Sequence, residues 1–230
     1  MKTSDLRRER EMRRRAGYRE TILHAAERVI LRKGYSATTM DDVAREAQYS
    51  KATIYKYISG KGVLLVEIMG HYFDDIRDKL EGILAGPDNA AEKLRLAIRT
   101  VLQDNEDKKN ITRVLWMDQA MMKLMRVFAG TPGKSGPAPA ADRKMIGLLQ
   151  QKRQEVIAVG ARILEQGIAS GEFRRMDTGT AAAFIEAVLQ GYAHNRYWQN
   201  ETMGISEAAN GLTRFIVEGI RNPGRPVKEN

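Results

Sequence analysis

The sequence predicts an all-α protein, a small N-terminal three-helix unit followed by a larger helical domain. Three observations predict it. Apolar residues recur at i, i+3 or i+4 and i+7 along almost the whole chain. No convincing period-2 stretch and no internal repeat interrupts them. Near the N-terminus, two short helical segments separated by about three turn residues follow a longer one.

The elements follow in order. Residues 1–16 are a polar arm holding Arg7, Arg8, Arg10, Arg13, Arg14 and Arg15. A first helix is expected from about Tyr18 to Lys33, with Ile22, Ala26, Val29 and Ile30 on its apolar face. Gly34 ends it as a left-handed C′ residue. Thr38 or Thr39 caps a second helix whose first turn holds Asp41 and Asp42, which suit a helix N-terminus. It ends near Ala47. Ser50 caps a short third helix reaching about Tyr57, and Ser59 to Gly62 break the pattern again. Longer helices are expected over about 63–84, 90–104, 109–128, 142–170, 178–199 and 205–220. Gly86-Pro87-Asp88 punctuates the first two. The stretch 130–140, with three Gly and three Pro, reads as a loop.

Composition narrows the function. The 230 residues include no cysteine, which removes disulfides, Cys-ligated zinc and thiol nucleophiles. No apolar run is long enough to cross a bilayer, and the charged N-terminus is unlike a signal peptide, so the expected address is the cytoplasm. The formal charge is +9, and it is unevenly spread: residues 1–61 carry 15 Lys or Arg against 8 Asp or Glu. A basic end on an otherwise nearly neutral chain fits a polyanion-binding module joined to something else. Enzyme motifs are missing. The three histidines have no H-E-x-x-H spacing, and there is no G-x-S-x-G elbow. No metal and no cofactor are expected.

A helix-turn-helix places its second short helix in the major groove of DNA, with the other helices bracing it. The residues carry a resemblance. Ile22 to Glu27, then Lys33-Gly34-Tyr35-Ser36-Ala37-Thr38-Thr39, then Asp42 to Ala47 and Ser50 to Tyr57, with Lys61 and Leu64-Leu65, resemble the start of a TetR-family regulator. Gly167-Ile168-Ala169-Ser170-Gly171-Glu172-Phe173 resembles a junction of that family's regulatory domain. Gln48 departs from the pattern, standing where the family usually has Gly. Ile58 and Gly62 stand for a usual Phe and Glu. The resemblance implies four segments: a basic arm 1–16, a helix-turn-helix DNA-binding domain 17–62, a helical ligand-binding and dimerisation domain 63–222, and a tail 223–230.

It also implies DNA-binding residues: Thr39, Ser50, Lys51, Ala52, Thr53, Tyr55, Lys56, Tyr57 and Lys61. Ala52 and the Thr53 methyl suit a thymine methyl, and Lys51 or Lys56 suits a guanine or a phosphate. Thr39, Tyr55, Tyr57 and Lys61 resemble phosphate-contacting positions, while Ile54 reads as core. The arginine-rich arm suits either the minor groove or the phosphates. Of the ligand site, Met117, Met121 and Met125 share one helix face, and methionine suits an adaptable apolar pocket as well as an ordinary core. Tyr72, Trp116 and Tyr192 offer aromatic walls, and His194 a polar anchor. The last two helices resemble the family's dimer pair, with Ile185, Val188 and Leu189 and with Leu212, Phe215 and Ile216 as candidate faces.

The expected function is a ligand-responsive, homodimeric transcriptional regulator. It would repress by binding a palindromic operator in double-stranded DNA and be released by a small, mostly apolar effector. The alternatives are a sequence-independent DNA-binding protein, or a helical carrier or enzyme whose basic end is incidental.

Overall fold

The computed structural model describes residues 3–108, 140–199 and 203–221. Among them are eight helices and no strand. They are α1 (Thr3–Lys33), α2 (Met40–Ala47), α3 (Lys51–Tyr57), α4 (Lys61–Ala85), α5 (Ala90–Asp107), α6 (Ala140–Ala169), α7 (Thr178–Gln199) and α8 (Ile205–Ile220). The helix and loop expected over 109–128 and 130–139 lie outside the described residues, as does the 223–230 tail. The chain divides into two compact units. Residues 3–71 and 140–150 belong to the first, and residues 72–108, 151–199 and 203–221 to the second.

In the first unit, α1 begins at Thr3 and not at Tyr18. The arginine-rich arm is therefore a helix continuous with the rest of α1. Arg, Glu and Met are good helix formers, so fifteen residues without an apolar face can still extend a helix already anchored downstream. The anchored part supplies Ile22, Ala25, Ala26 and Ile30 to a core completed by Val43 and Ala44 of α2, Ile54 of α3, and Leu64, Leu65 and Ile68 of α4. Gly34 sits at φ 81 and ends α1, its amide donating to the Ile30 carbonyl. Thr39 and Asp42 form a reciprocal capping box at the start of α2.

Gln48 closes α2 at φ 58, ψ 36, the left-handed region. The turn keeps the backbone that favours glycine, and a side chain bears the strain. Its amide still donates to carbonyls of the last α2 turn, so the geometry of the turn is preserved.

In the second unit, α5 and α8 pack face to face, and α7 lies against α5. The core takes Leu94, Ile98 and Leu102 from α5, Ile163 and Leu164 from α6, Leu189 from α7, and Ala208, Ile216 and Val217 from α8. The 167–173 junction makes this possible. Gly171 turns the chain at φ 75. A Cβ on Gly167 would stand 2.1 Å from the Phe173 ring, which is packed onto that bare backbone. The Glu172 carboxylate then accepts from the amides of Ala90 and Ala91, 3.3 and 3.1 Å away, at the start of α5. Those amides have no partner within the helix, and a carboxylate also suits its positive end. The junction ends where the Arg174 amide donates to the Ile220 carbonyl, 2.9 Å away.

Candidate functional site

The site is built around α3. The Ser50 hydroxyl accepts from the Thr53 amide at 3.1 Å and lies 2.8 Å from the Thr53 hydroxyl. One cap thus starts the helix and engages the polar atom of Thr53. Ile54 is wholly buried and fixes which face of α3 points inward. Burying such a side chain is worth about 1.5–3 kcal/mol. The outward positions follow: Lys51, Ala52, Tyr55 and Lys56 are exposed and Thr53 is half-buried.

The remaining sequence-predicted residues of this site brace α3 from several sides. The ring of Tyr57 stacks on Tyr18 of α1 at 4.9 Å and 9°. Its carbonyl accepts from Arg19 at 2.6 Å, and Arg19 also pairs with Glu67 of α4. Lys61 donates to the carbonyls of Tyr35 and Ser36, at 3.0 and 3.1 Å, with its ammonium 4.6 Å from the Tyr35 ring centre. In this state both residues hold elements together, in contrast to the phosphate-facing role that the resemblance implies. Thr39 is engaged in its cap, donating to Asp42 at 2.5 Å.

Three acidic partners, Asp41, Asp42 and Glu46, were not among the expected site residues. The Lys51 ammonium lies 2.7 Å from Asp41, which raises its pKa above the usual lysine value. Both side chains are more than half exposed, and such pairs are weak, so a phosphate can replace the carboxylate. Hydrogen bonds from Lys33 and then Thr39 hold the Asp42 carboxyl well below its ordinary 3.8. Arg32 and then Arg28 do the same for Glu46. These pairs tie α1 to α2.

The second unit holds a separate apolar cavity of about 80 Å³. Tyr72, Ile76 and Leu80 of α4, Ala97 and Ile98 of α5, Val156 and Gly160 of α6, and Ile185 and Leu189 of α7 line it. Its polar lining includes Arg153, paired with Glu186 through Nε at 2.9 Å, and Gln190. Sequence reading missed that pair, because residues 33 apart on different helices leave no spacing signal.

Of the expected ligand residues, Tyr72 lines this cavity. Tyr192 borders a smaller hollow of about 10 Å³ beside Asn105, Glu106 and Arg196, and exposed His194 lines neither. Trp116, Met117, Met121 and Met125 lie outside the described residues. The expected dimer residues also divide. Leu189 and Ile216 are buried in the chain's own core, with Ile185 and Leu212 packed against it. Helical periodicity does not separate core from interface, so the pattern groups all six together. Val188 and Phe215 stay exposed, and Phe184 joins them. Phe184 and Phe215 are 68% and 70% exposed, far above what two phenylalanines settle for inside a core.

Comparison with known proteins agrees with this geometry. Residues 22–68 match the family model for bacterial regulatory proteins of the tetR family. Residues 22–68 are thus a TetR-family segment. Among relatives of this chain, the Bacillus subtilis regulator YdeS is 43% identical over 51 residues, 22% of this chain and 26% of that protein. The B. subtilis regulator YuxN is 29% identical over 84 residues, 36% of this chain and 28% of that protein. The chain thus spans about a quarter of the length of these two relatives. The solved structure of the B. subtilis regulator FadR in complex with stearoyl-CoA shares the fold. It has a TM-score of 0.66 at 19% identity, covering 88% of this chain and 99% of that one. Among the described residues, no helix is long and apolar enough to cross a membrane.

Proposed function

We propose that the chain is a ligand-responsive, homodimeric repressor that binds a palindromic operator and is released by a small, mostly apolar effector. The observation that carries this reading is α3 itself. It is a capped helix with one buried anchor, Ile54, and an outward set of Lys51, Ala52, Thr53, Tyr55 and Lys56. That set combines two cations for phosphates or guanines with small apolar groups for thymine methyls. A helix of seven residues reads few base pairs, so two copies about one helical turn apart, ~34–36 Å, are needed to specify a site. The exposed Phe184, Val188 and Phe215 supply an apolar surface for a second copy.

The effector reading rests on the cavity. At about 80 Å³ it is smaller than the ~150 Å³ apolar cavity that accepts a benzene ring. An effector therefore enters by spreading the helices around it, and it binds the spread state better than the closed one. That difference is the free energy available to shift DNA binding. Helix α4 supplies Ile76 and Leu80 to the cavity and Leu64 and Leu65 to the core around α3, so it is the element that transmits the spreading.

The test is selection of bound duplexes from a random pool by the purified protein at near-physiological salt. An inverted repeat with half-sites one turn apart is the expected result. It also supplies the probe for an effector screen. Recovery of unenriched DNA would leave a sequence-independent binder and overturn the repressor reading.

A further inference from the structure

The helical form of the N-terminal extension changes what its arginines can do. With side chains, a helix is about 10–12 Å across, and the minor groove of B-DNA is about 6 Å wide. An extended arm can thread that groove, but a helix cannot. With α3 taken as the helix in the major groove, which is wide enough for one, the extension is left the phosphates along the outside of the duplex.

The arginines are also placed for it. Residues 7, 11, 14 and 18 fall on one row of α1 (i, i+4, i+7, i+11), with Glu11 the one acid among the cations and Arg10 one turn from Arg14. Tyr18 ends that row where α1 meets α3, stacked on Tyr57. The Arg14 guanidinium lies 5.9 Å from the Tyr18 ring centre, and the Lys56 ammonium 5.8 Å from that of Tyr57. Cations therefore flank an aromatic stack, and the row continues past α3 through the exposed Arg10 and Arg7. Arg13 lies about 100° round the helix from Arg14 and is paired with Glu9 at 2.5 Å.

We propose that the arginine row of α1 is a second phosphate-binding surface, extending the track of α3 onto the backbone of the flanking duplex. This rests on the reading of α3 as a DNA-binding helix. It assigns the extension to positioning and affinity and not to base recognition, since a row outside the grooves touches no base edge.

The test compares the full-length protein with R7Q/R10Q/R14Q and with R13Q on a 40-base-pair duplex of random sequence over a salt series. Glutamine keeps the helix propensity. Each lost phosphate contact lowers the slope of log K against log[salt] by about 0.9, so the triple variant should lose up to about 2.7, and R13Q close to nothing. A triple variant with the parental slope overturns the proposal. So does a loss in R13Q of about a third of the triple variant's, the same per charge removed, which would mean net charge alone. A wild type that binds this duplex but selects no sequence from a random pool sinks the repressor reading and leaves the arginine row standing.

Discussion

At residue scale, two contacts make sharp claims. Gly167 carries the Phe173 ring directly on its backbone. Gly167→Ala should cost at least the 1–3 kcal/mol typical of overpacking, read as a lower midpoint in urea. An unchanged midpoint would mean that the ring has somewhere else to go. Asp42 makes a claim about acid. Its folded-state pKa is depressed, so as pH falls the unfolded chain takes up the proton first. The stabilisation is complete above the ordinary value of 3.8 and is lost as pH falls through the lower folded-state value. Glu46 acts in the same direction. Thermal melts at about pH 7, 5 and 3 should show Asp42→Asn starting lower but losing less between pH 5 and 3 than the parent. Parallel losses would remove Asp42 from the account.

At the scale of elements, the caps were the most legible part of the sequence. Thr39, Ser50 and Gly34 act through their own chemistry within a few residues, so each is visible in a short window. Gln48 shows how far such reasoning reaches. The turn demands a left-handed residue, and the structure keeps that turn with a residue ill suited to it. The start of α1 was not legible, because an arginine-rich stretch with no apolar face looks alike as coil and as helix. Ser50→Ala tests the cap of α3. It should lower stability by about 1 kcal/mol and weaken specific DNA binding by more than the melting shift explains, because the cap also orders Thr53. An affinity that merely follows stability would reduce Ser50 to a structural role.

For the whole molecule, the proposed dimer turns on which apolar residues the chain leaves uncovered. Pattern alone grouped Leu189 and Ile216 with Val188 and Phe215, and three-dimensional burial separates them. Phe184→Glu with Phe215→Glu should leave the melting temperature of the isolated chain nearly unchanged and shift the sedimentation of the protein to that of a monomer. Ile216→Glu should unfold the second unit instead, since it buries an unpaired charge. A double variant that sediments as a dimer would place the interface elsewhere. The Arg153–Glu186 pair belongs to the same lesson, because contacts across the cavity depend on how four helices meet and on no local signal.

The division of the chain also orders its synthesis. The core of the first unit around α3 draws on residues 22–69, so it can close soon after that stretch leaves the ribosome. The second unit cannot. Its helices come in two instalments, separated by residues assigned to the first unit, and α5 has to wait for α8, the last of the eight, to cover its face. At about 5–20 residues per second, that leaves the part of α5 that α8 covers bare for several seconds in every round of translation. A nascent chain stalled before residue 205 would carry a finished reading head on an open, sticky body, a natural client for chaperones and proteases.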